Sequence, residues 1–340
     1  MPALRLVDRA PVVPPATLVA ALVPPPRFDH ARFSTYLPDP AQPSQAAAVR
    51  VLEHFVTTLE PPPRGLLSRV GVGRHPDPGP PGVYLDGGFG VGKTHLLASL
   101  WHEAPTPRAY GTFVELTHLV GALGFGVTVE ALSDHRLLCI DEFELDDPGD
   151  TVLVSTLLAR LVEAGVKVAA TSNTLPGSLG EGRFAASDFL REIQGLSAHF
   201  TSVRVDGEDY RHRGLPSAPP PVADEVVLAR TDQTPGATCD DFETLLGHLA
   251  TLHPSRYGAL VEGVELVGLT GVRPVPEQAA ALRLVVLADR LYDRDVPVLA
   301  SGAPLGELFP PELLEGGYRK KYRRAISRRD ARARQAQAQV

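Results

Sequence analysis

Apolar and polar residues follow two alternating patterns through the first half of the chain. Short, almost continuous apolar runs predict buried strands at 82–86, 109–115, 136–141 and 166–171. Segments in which apolar residues recur every three or four positions predict helices at 46–59, 94–103, 116–123 and 151–164, the first with Ser44 as its N-cap. Strands that alternate with helices at this spacing are typical of a parallel sheet covered on both faces. We therefore predict an α/β fold.

Clusters of proline divide the chain into predicted domains. Prolines 24–26 interrupt the N-terminal part, and Pro216 with prolines 219–221 marks a second break. The predicted organisation is a proline-rich extension (1–43), a larger α/β core (44–214), a proline-rich linker (215–225), a smaller C-terminal α/β unit (226–331) and a tail (332–340).

The smaller unit contains a faint echo of the larger one. Segment 296–301 resembles segment 166–171, and the helical patterns before the two segments also match. Two explanations stay open: a repeated strand–helix–strand unit, or the chance likeness of any two such segments.

The composition excludes several classes of protein. Of the 340 residues, 44% are hydrophobic, which is enough for a sizeable core, and two cysteines exclude a disulfide framework. No apolar run approaches the roughly 20 residues of a membrane span, and we expect no signal peptide at the N-terminus. We therefore expect a cytoplasmic protein.

A glycine-rich segment between a predicted strand and a predicted helix carries the strongest chemical signal. Residues 87–94 fit the Walker A (P-loop) signature G-x-x-x-x-G-K-[ST] throughout. The glycines allow backbone N–H groups to point at phosphate oxygens, Lys93 can reach the β- and γ-phosphates, and the Thr94 hydroxyl can bind Mg²⁺. The predicted ATP-binding residues are Gly87, Gly88, Phe89, Gly90, Val91, Gly92, Lys93 and Thr94.

Polar residues end the two following strands of the predicted sheet. Asp141 and Glu142 end an apolar strand, at the sheet edge where α/β proteins bind ligands. We expect Asp141 to bind Mg²⁺ through water and Glu142 to accept a proton from the attacking water or to orient it. Asn173 ends the next strand, and we expect it to hold that water or the γ-phosphate. Cys139 is interpreted as a small apolar strand residue.

The order of these three motifs resembles that of AAA+ ATPases. Several short segments also resemble one particular family within that class. Segments 84–94, 139–143 (Cys-Ile-Asp-Glu-Phe), 168–173 (Val-Ala-Ala-Thr-Ser-Asn) and 209–211 (Asp-Tyr-Arg) resemble the ZapE family of cell-division ATPases. Segments 288–293 and 324–328 also resemble its C-terminal signatures. The resemblance extends over roughly residues 28–330.

Membership implies a P-loop AAA+ core, hydrolysis of ATP with Mg²⁺, assembly into a homo-oligomer or transient ring, and, in bacteria, contact with the tubulin-like division protein FtsZ. The chain departs from the family pattern in segment 182–191, so that the arginine acting on a neighbouring subunit is either Arg183, which we prefer, or Arg191. The C-terminal residues of the chain also differ from the closing signature of the family.

Charge is distributed unevenly. The net formal charge is −7, yet residues 318–340 hold nine Lys or Arg against one Asp, so the body is strongly acidic. That balance argues against general nucleic-acid binding. We expect the basic tail to contact an acidic protein surface or an anionic membrane, while Tyr318, Tyr322 and Ile326 dock on the ATPase body. A solvated tail that merely offsets the acidic body is the alternative.

Other functions stay open beside the partner-remodelling ATPase. A nucleic-acid-associated AAA+ ATPase of the helicase-loader kind would carry the same motifs. A nucleotide-gated scaffold would too, although Glu142 and Asn173 argue for hydrolysis because both act on the water. Gln45, at the start of the first core helix, either contacts the adenine or faces solvent.

Overall fold

The computed structural model describes residues 4–59, 81–88, 90–144, 148–175, 194–195, 197–207, 220–316, 321–322 and 325–326. These residues form two compact units. The larger unit contains the described residues of 15–24 and 28–214, and the smaller unit contains those of 1–14, 25–27 and 215–340. The domain boundaries predicted from the prolines stay predictions.

The larger unit contains a five-stranded sheet in which every neighbouring pair is parallel. The strands are β1 (Gly82–Gly87), β2 (Arg108–Thr112), β3 (Leu137–Asp141), β4 (Lys167–Ser172) and β5 (Phe200–Val205), in the order β2-β3-β4-β1-β5. The predicted parallel α/β sheet is thus confirmed. Strand β4 lies between β1, which leads into the glycine loop, and β3, which ends in the acidic pair.

Six helices of the larger unit lie within its described residues. They are α1 (Pro15–Ala20), α2 (Pro43–Thr57), α3 (Lys93–Glu103), α4 (Phe113–Leu123), α5 (Phe125–Ser133) and α6 (Pro148–Glu163). The predicted strand at 109–115 is wrong in its end, because α4 begins at Phe113. Thr112 accepts a hydrogen bond from the N–H of Glu115, whose carboxylate accepts the N–H of Thr112, and this capping box starts the helix. The predicted cap at Ser44 is also wrong, since α2 begins at Pro43 after Gln42.

The helices cover both faces of the sheet, as the apolar strands require. Alternate strand residues such as Tyr84 and Ile140 pack in one hydrophobic cluster with α4 and α6. Their neighbours, such as Leu85 and Cys139, pack in a second cluster with α2 and α3. This alternation follows from the two-residue period of a strand. Because the five strands are parallel, their carboxyl ends, and the polar residues there, lie on one edge of the sheet.

The smaller unit is built on a three-stranded parallel sheet, β6 (Ala237–Asp241), β7 (Leu266–Val272) and β8 (Val298–Gly302), in that spatial order. Its helices are α7 (Asp224–Gln233), α8 (Phe242–Thr251), α9 (Tyr257–Leu260), α10 (Gln278–Asp293) and α11 (Pro311–Glu315). Part of the N-terminal segment belongs to this unit: Leu6 is fully buried in its core, and the carboxylate of Asp240 accepts the N–H groups of Leu6 and Val7.

The two segments that the sequence analysis compared fold alike. Helices α6 and α10 each contain 16 residues, and each connects two parallel neighbouring strands. The likeness extends further, because β2-β3-β4 and β6-β7-β8 have the same spatial order, and α4 and α8 both start directly after the first strand. The smaller unit therefore repeats the plan of half of the larger sheet.

The described residues of the C-terminal tail belong to the smaller unit. Tyr322 is buried and its ring packs on Phe309, with ring centroids 4.7 Å apart, and Ala325 is buried in the same cluster. The predicted docking of the tail on the ATPase body is therefore wrong for Tyr322, because the smaller unit's core holds it. Within the described ranges, no single helix is long and apolar enough to cross a membrane, although the bent pair α4 and α5 passes that test by length and composition alone.

Candidate functional site

The glycine loop connects β1 to α3, as the sequence predicts. Gly90 and Gly92 have φ angles of 70° and 87°, in the left-handed region that glycine adopts without strain. A Cβ atom at Gly92 would lie 2.5 Å from Cε2 of Tyr36, so this position also has no room for a larger residue. The Tyr36 hydroxyl donates to the carbonyl of Val91 at 3.0 Å. The segment before α2 thus packs directly on the loop.

Lys93 begins α3 and lies at the mouth of the loop. Its side chain is largely buried, and Nζ donates to the carbonyl of Gly87 at 3.0 Å, to the carbonyl of Gly88 and to Oδ1 of Asn173 at 2.9 Å. The ammonium group is therefore surrounded by oxygen acceptors, the kind of group that phosphate also offers. The predicted lysine and asparagine are brought together, although 80 positions separate them in the chain.

The carboxylate of Asp141 is the centre of a buried hydrogen-bond network. Its Oδ1 atom accepts from the Thr94 hydroxyl at 3.2 Å and from the Thr171 hydroxyl. Its Oδ2 atom accepts from the hydroxyl of Tyr110 at 3.1 Å. The two residues predicted to hold Mg²⁺, Thr94 and Asp141, are therefore in contact. Hydroxyl and carboxylate oxygens are the hard donors that this ion takes, so the donor set fits Mg²⁺.

Glu142 follows in an uncommon backbone conformation. Its φ is 54°, in the left-handed region that residues other than glycine seldom adopt. Its N–H donates to the Thr171 hydroxyl at 3.1 Å, and the N–H of Phe143 donates to the Thr171 carbonyl at 2.7 Å. The turn after β3 is therefore fastened to β4. The role of Glu142 as the base stays a prediction.

Sequence reasoning missed Tyr110 and Thr171. Both are polar residues within segments that the sequence predicts to be buried strands, and that placement was the available signal. Their contacts depend on strand register: Thr112 pairs with Asp141, which places Tyr110 two residues earlier on the same face, and Ile140 pairs with Ala170, which places Thr171 beside Asp141.

Gln45 lies in α2 with only 4% of its surface exposed, so the interpretation as a solvent-facing residue is wrong. Its Oε1 accepts the N–H of Asp39 and its Nε2 donates to the carbonyl of Asp206, both at 2.8 Å. A Cβ atom at Gly207 would lie 2.8 Å from Nε2 of Gln45 and 3.2 Å from Cγ1 of Val91, so Gly207 lies close to both Gln45 and the glycine loop. The contact of Gln45 with adenine stays a prediction.

Two electrostatic features surround the site. The Arg204 guanidinium donates to Asp86, at the end of β1, and to Asp206, both at 2.8 Å, and the hydrogen bond from Arg204, followed by one from Ser44, lowers the pKa of Asp206. Burial raises the pKa of the Cys139 thiol, followed by the effect of the Asp141 charge, which agrees with its interpretation as an apolar strand residue. Phe89, Arg183, Arg191 and most of the basic tail lie outside the described residues.

A parallel sheet whose first strand leads into a phosphate-binding loop, with a carboxylate at the end of a second strand in contact with the loop threonine, is the arrangement of a P-loop nucleotide-binding protein. The model of the AFG1-like ATPase family matches residues 12–226 and 217–338. The chain therefore belongs to the AFG1-like ATPase family and is an ATPase.

Individual relatives agree with this assignment. The chain is 27% identical to cell division protein ZapE of Escherichia coli, over 86% of this chain and 91% of that protein. It is 28% identical to lactation elevated protein 1 homolog B of Danio rerio, over 41% of this chain and 32% of that protein. Among solved structures, DnaI matches 56% of this chain and 97% of its own, with 18% identity and a TM-score of 0.42.

Proposed function

We propose that this ATPase requires Mg²⁺ and that its hydrolysis of ATP drives the remodelling of a protein partner in cell division. The observation that carries the catalytic part is the contact of Thr94 with Asp141, beside a lysine that also contacts Asn173. A hydroxyl, a carboxylate, an ammonium group and an amide thus converge where the loop, β3 and β4 end. This is the set of groups that phosphoryl transfer to water requires.

Each residue has a distinct proposed role. The backbone of the loop and Lys93 bind the phosphates, and Thr94 and Asp141 hold Mg²⁺, Asp141 through water. When bound, Mg²⁺ supplies positive charge to the phosphate oxygens. Glu142 accepts a proton from the attacking water or orients it, and Asn173 holds that water or the γ-phosphate.

Two lysine variants test the loop. Lys93→Ala removes the cation that lies against the loop carbonyls, and we expect tight ATP binding to be lost in calorimetry. Lys167→Ala, at the start of β4, is the matched control and should bind ATP normally. Near-normal affinity of Lys93→Ala would contradict the assignment of the loop.

Two glutamate variants test the hydrolytic step. Glu142→Gln should bind ATP and lose turnover by about 10²–10⁴-fold, the usual effect of removing a general base. Glu144→Gln makes the same change of charge two residues further on and should keep wild-type turnover. If Glu142→Gln hydrolyses ATP at close to the wild-type rate, the base is another residue.

The division role is supported by the relative named as a cell division protein, and FtsZ is the proposed partner. Turnover of the full chain should then rise with FtsZ polymers and stay unchanged with single-stranded DNA. The reverse result would instead favour the helicase-loader alternative.

A membrane role for the basic tail gives a separate prediction. Removing residues 318–340 should weaken the binding of the protein to anionic vesicles and should reduce the salt dependence of that binding.

Assembly is proposed to complete the site with Arg183 of a neighbouring subunit, or else Arg191. Mixing Lys93→Ala with Arg183→Ala protein should then restore part of the activity, because each subunit supplies the group that the other lacks. An arginine acting in this way contributes about 10³–10⁵-fold in rate. A mixture that stays inactive counts against Arg183, and the same mixture with Arg191→Ala then tests the second candidate.

A further inference from the structure

One hydroxyl group connects both acidic residues of the site to the neighbouring strand. Thr171 is 2% exposed in the middle of the sheet, between β3 and β1. Its Oγ1 atom donates its proton to Asp141 Oδ1 and accepts the N–H of Glu142 at 3.1 Å. The hydroxyl therefore orients one carboxylate directly and the other through its backbone.

The backbone that this hydroxyl holds is unfavourable for a glutamate. A left-handed conformation is unfavourable for a residue with a side chain, and it persists only where the surroundings enforce it. At Glu142 two contacts hold this conformation: the Thr171 hydroxyl accepts its N–H, and the Thr171 carbonyl accepts the N–H of Phe143. The direction in which the Glu142 side chain leaves the backbone depends on them.

The smaller unit contains a related arrangement without the strain, in which the carboxylate belongs to helix α7 and not to the neighbouring strand. Gly271, at the end of β7, has a φ of 65° and donates its N–H to the Ser301 hydroxyl at 3.2 Å, and that hydroxyl donates to a carboxylate, Asp224. Glycine adopts this conformation freely. The larger unit instead has a glutamate at the corresponding turn, and a strained residue of this kind indicates that its side chain is needed there.

We propose that Thr171 is a positioning residue, which rests on the proposed function: its hydroxyl aims the Asp141 carboxylate at the metal and holds Glu142 in the conformation that directs its carboxylate to the water. Thr171 touches neither ATP nor water in this proposal. It acts through the two acidic residues, so its loss should reduce turnover and the response to Mg²⁺ more than nucleotide binding.

The test compares two substitutions in the full chain. Thr171→Val keeps the branched shape and removes the hydroxyl, and Thr171→Ser keeps the hydroxyl and removes the methyl group. Because a misplacement of about 1 Å can reduce a rate by about 10²-fold, we expect Thr171→Val to lower kcat by about 10- to 100-fold and to need more Mg²⁺, with ATP affinity unchanged. Thr171→Ser should stay within about threefold of wild type.

Ser301→Ala is the matched control, because it removes the corresponding hydroxyl from the smaller unit. It should lower the urea midpoint of unfolding and leave kcat and the Mg²⁺ response unchanged. Two measurements test the proposed ATPase site independently of Thr171: the wild-type protein should hydrolyse ATP, and Glu142→Gln should be inactive. If those two hold and Thr171→Val keeps a wild-type kcat, the proposal is overturned while the proposed function stands.

A double-mutant cycle keeps the proposal testable even if Thr171→Val unfolds. In a Glu142→Gly background the left-handed turn is free of strain, so Thr171→Val should destabilise that background less than it destabilises wild type. A loss of stability of equal size in both backgrounds, or a double variant that does not fold, would show that the hydroxyl serves only the packing of β4. Either result would refute the positioning role.

Discussion

Replacing Gln45 by leucine separates two explanations of why a glutamine is buried beside the glycine loop. Leucine has a similar size and fills the same space, but it offers neither of the two hydrogen bonds that tie α2 to Asp39 and Asp206. If Gln45 only positions the neighbouring backbone, the change weakens the support of the loop. If Gln45 contacts the base, the change alters the preference for adenine.

The structure sets the size of the expected effect. Two hydrogen bonds are lost, each worth about 1 kcal/mol, and both involve backbone groups that water can partly reach. The loss of unfolding free energy should therefore be about 2 kcal/mol. The part of this energy that is coupled to the loop appears as weaker nucleotide binding, by at most about 30-fold, since 1.4 kcal/mol corresponds to a factor of ten.

Calorimetric titration with ATP, GTP and inorganic triphosphate distinguishes the two explanations. A positioning role weakens all three ligands by the same factor, whereas base contact weakens ATP alone. Gln42→Leu is the control, because Gln42 precedes α2 and its side chain makes no capping hydrogen bond. If Gln45→Leu changes neither the free energy of unfolding nor the affinity for any of the three ligands, the reasoning from buried hydrogen bonds is wrong.

Three further predictions concern the loop and the thiols. Gly92→Ala should weaken ATP binding at least tenfold in calorimetry, because its φ of 87° disfavours alanine by about 1–2 kcal/mol and its Cβ atom would meet the Tyr36 ring. Tyr36→Phe should lower the free energy of unfolding by about 1 kcal/mol in urea titrations, through loss of the hydrogen bond to Val91, without that tenfold effect. Burial raises the pKa of both thiols, so iodoacetamide at neutral pH should modify native Cys239 slowly and Cys139 only after unfolding, as peptide mass spectrometry would show.

Local sequence was sufficient for the parts of the site that are contiguous in the chain. The loop at 87–94 is a single run of letters, and Asp141 follows directly from an apolar strand, so both were predicted. The apolar pattern predicts the end of β2 wrongly, because Phe113 and Val114 continue the apolar run into the first turn of α4, although Thr112 and Glu115 have the spacing of a capping box.

The remaining contacts depend on register and on long-range packing. Tyr110 and Thr171 reach Asp141 only because three strands pair with particular offsets, and a shift of one residue would turn each side chain to the opposite face. Gln45 contacts a backbone group 161 positions away. No local pattern specifies such partners, so the sequence could indicate that Gln45 was close to the loop but could not indicate what it binds.

The two units share a strand arrangement, and a comparison of them shows which residues of the larger unit form the ATPase site. Both place a hydroxyl at the end of one strand against a left-handed turn at the end of its neighbour. In the smaller unit the residues that correspond to Asp141 and Glu142 are Thr270 and Gly271, which have no ionisable side chain. Its described residues include no counterpart of β1 with a phosphate-binding loop. The parallel sheet and the hydrogen-bonded turn are thus a scaffold that provides no catalytic groups by itself. Chemistry enters where Asp141 and Glu142 replace uncharged residues at that turn, and where β1 brings Lys93 and Thr94 to the same edge. Glu142→Gln and Lys93→Ala examine these two contributions separately, because the first removes a charge from the turn and the second removes the cation that β1 brings to the site.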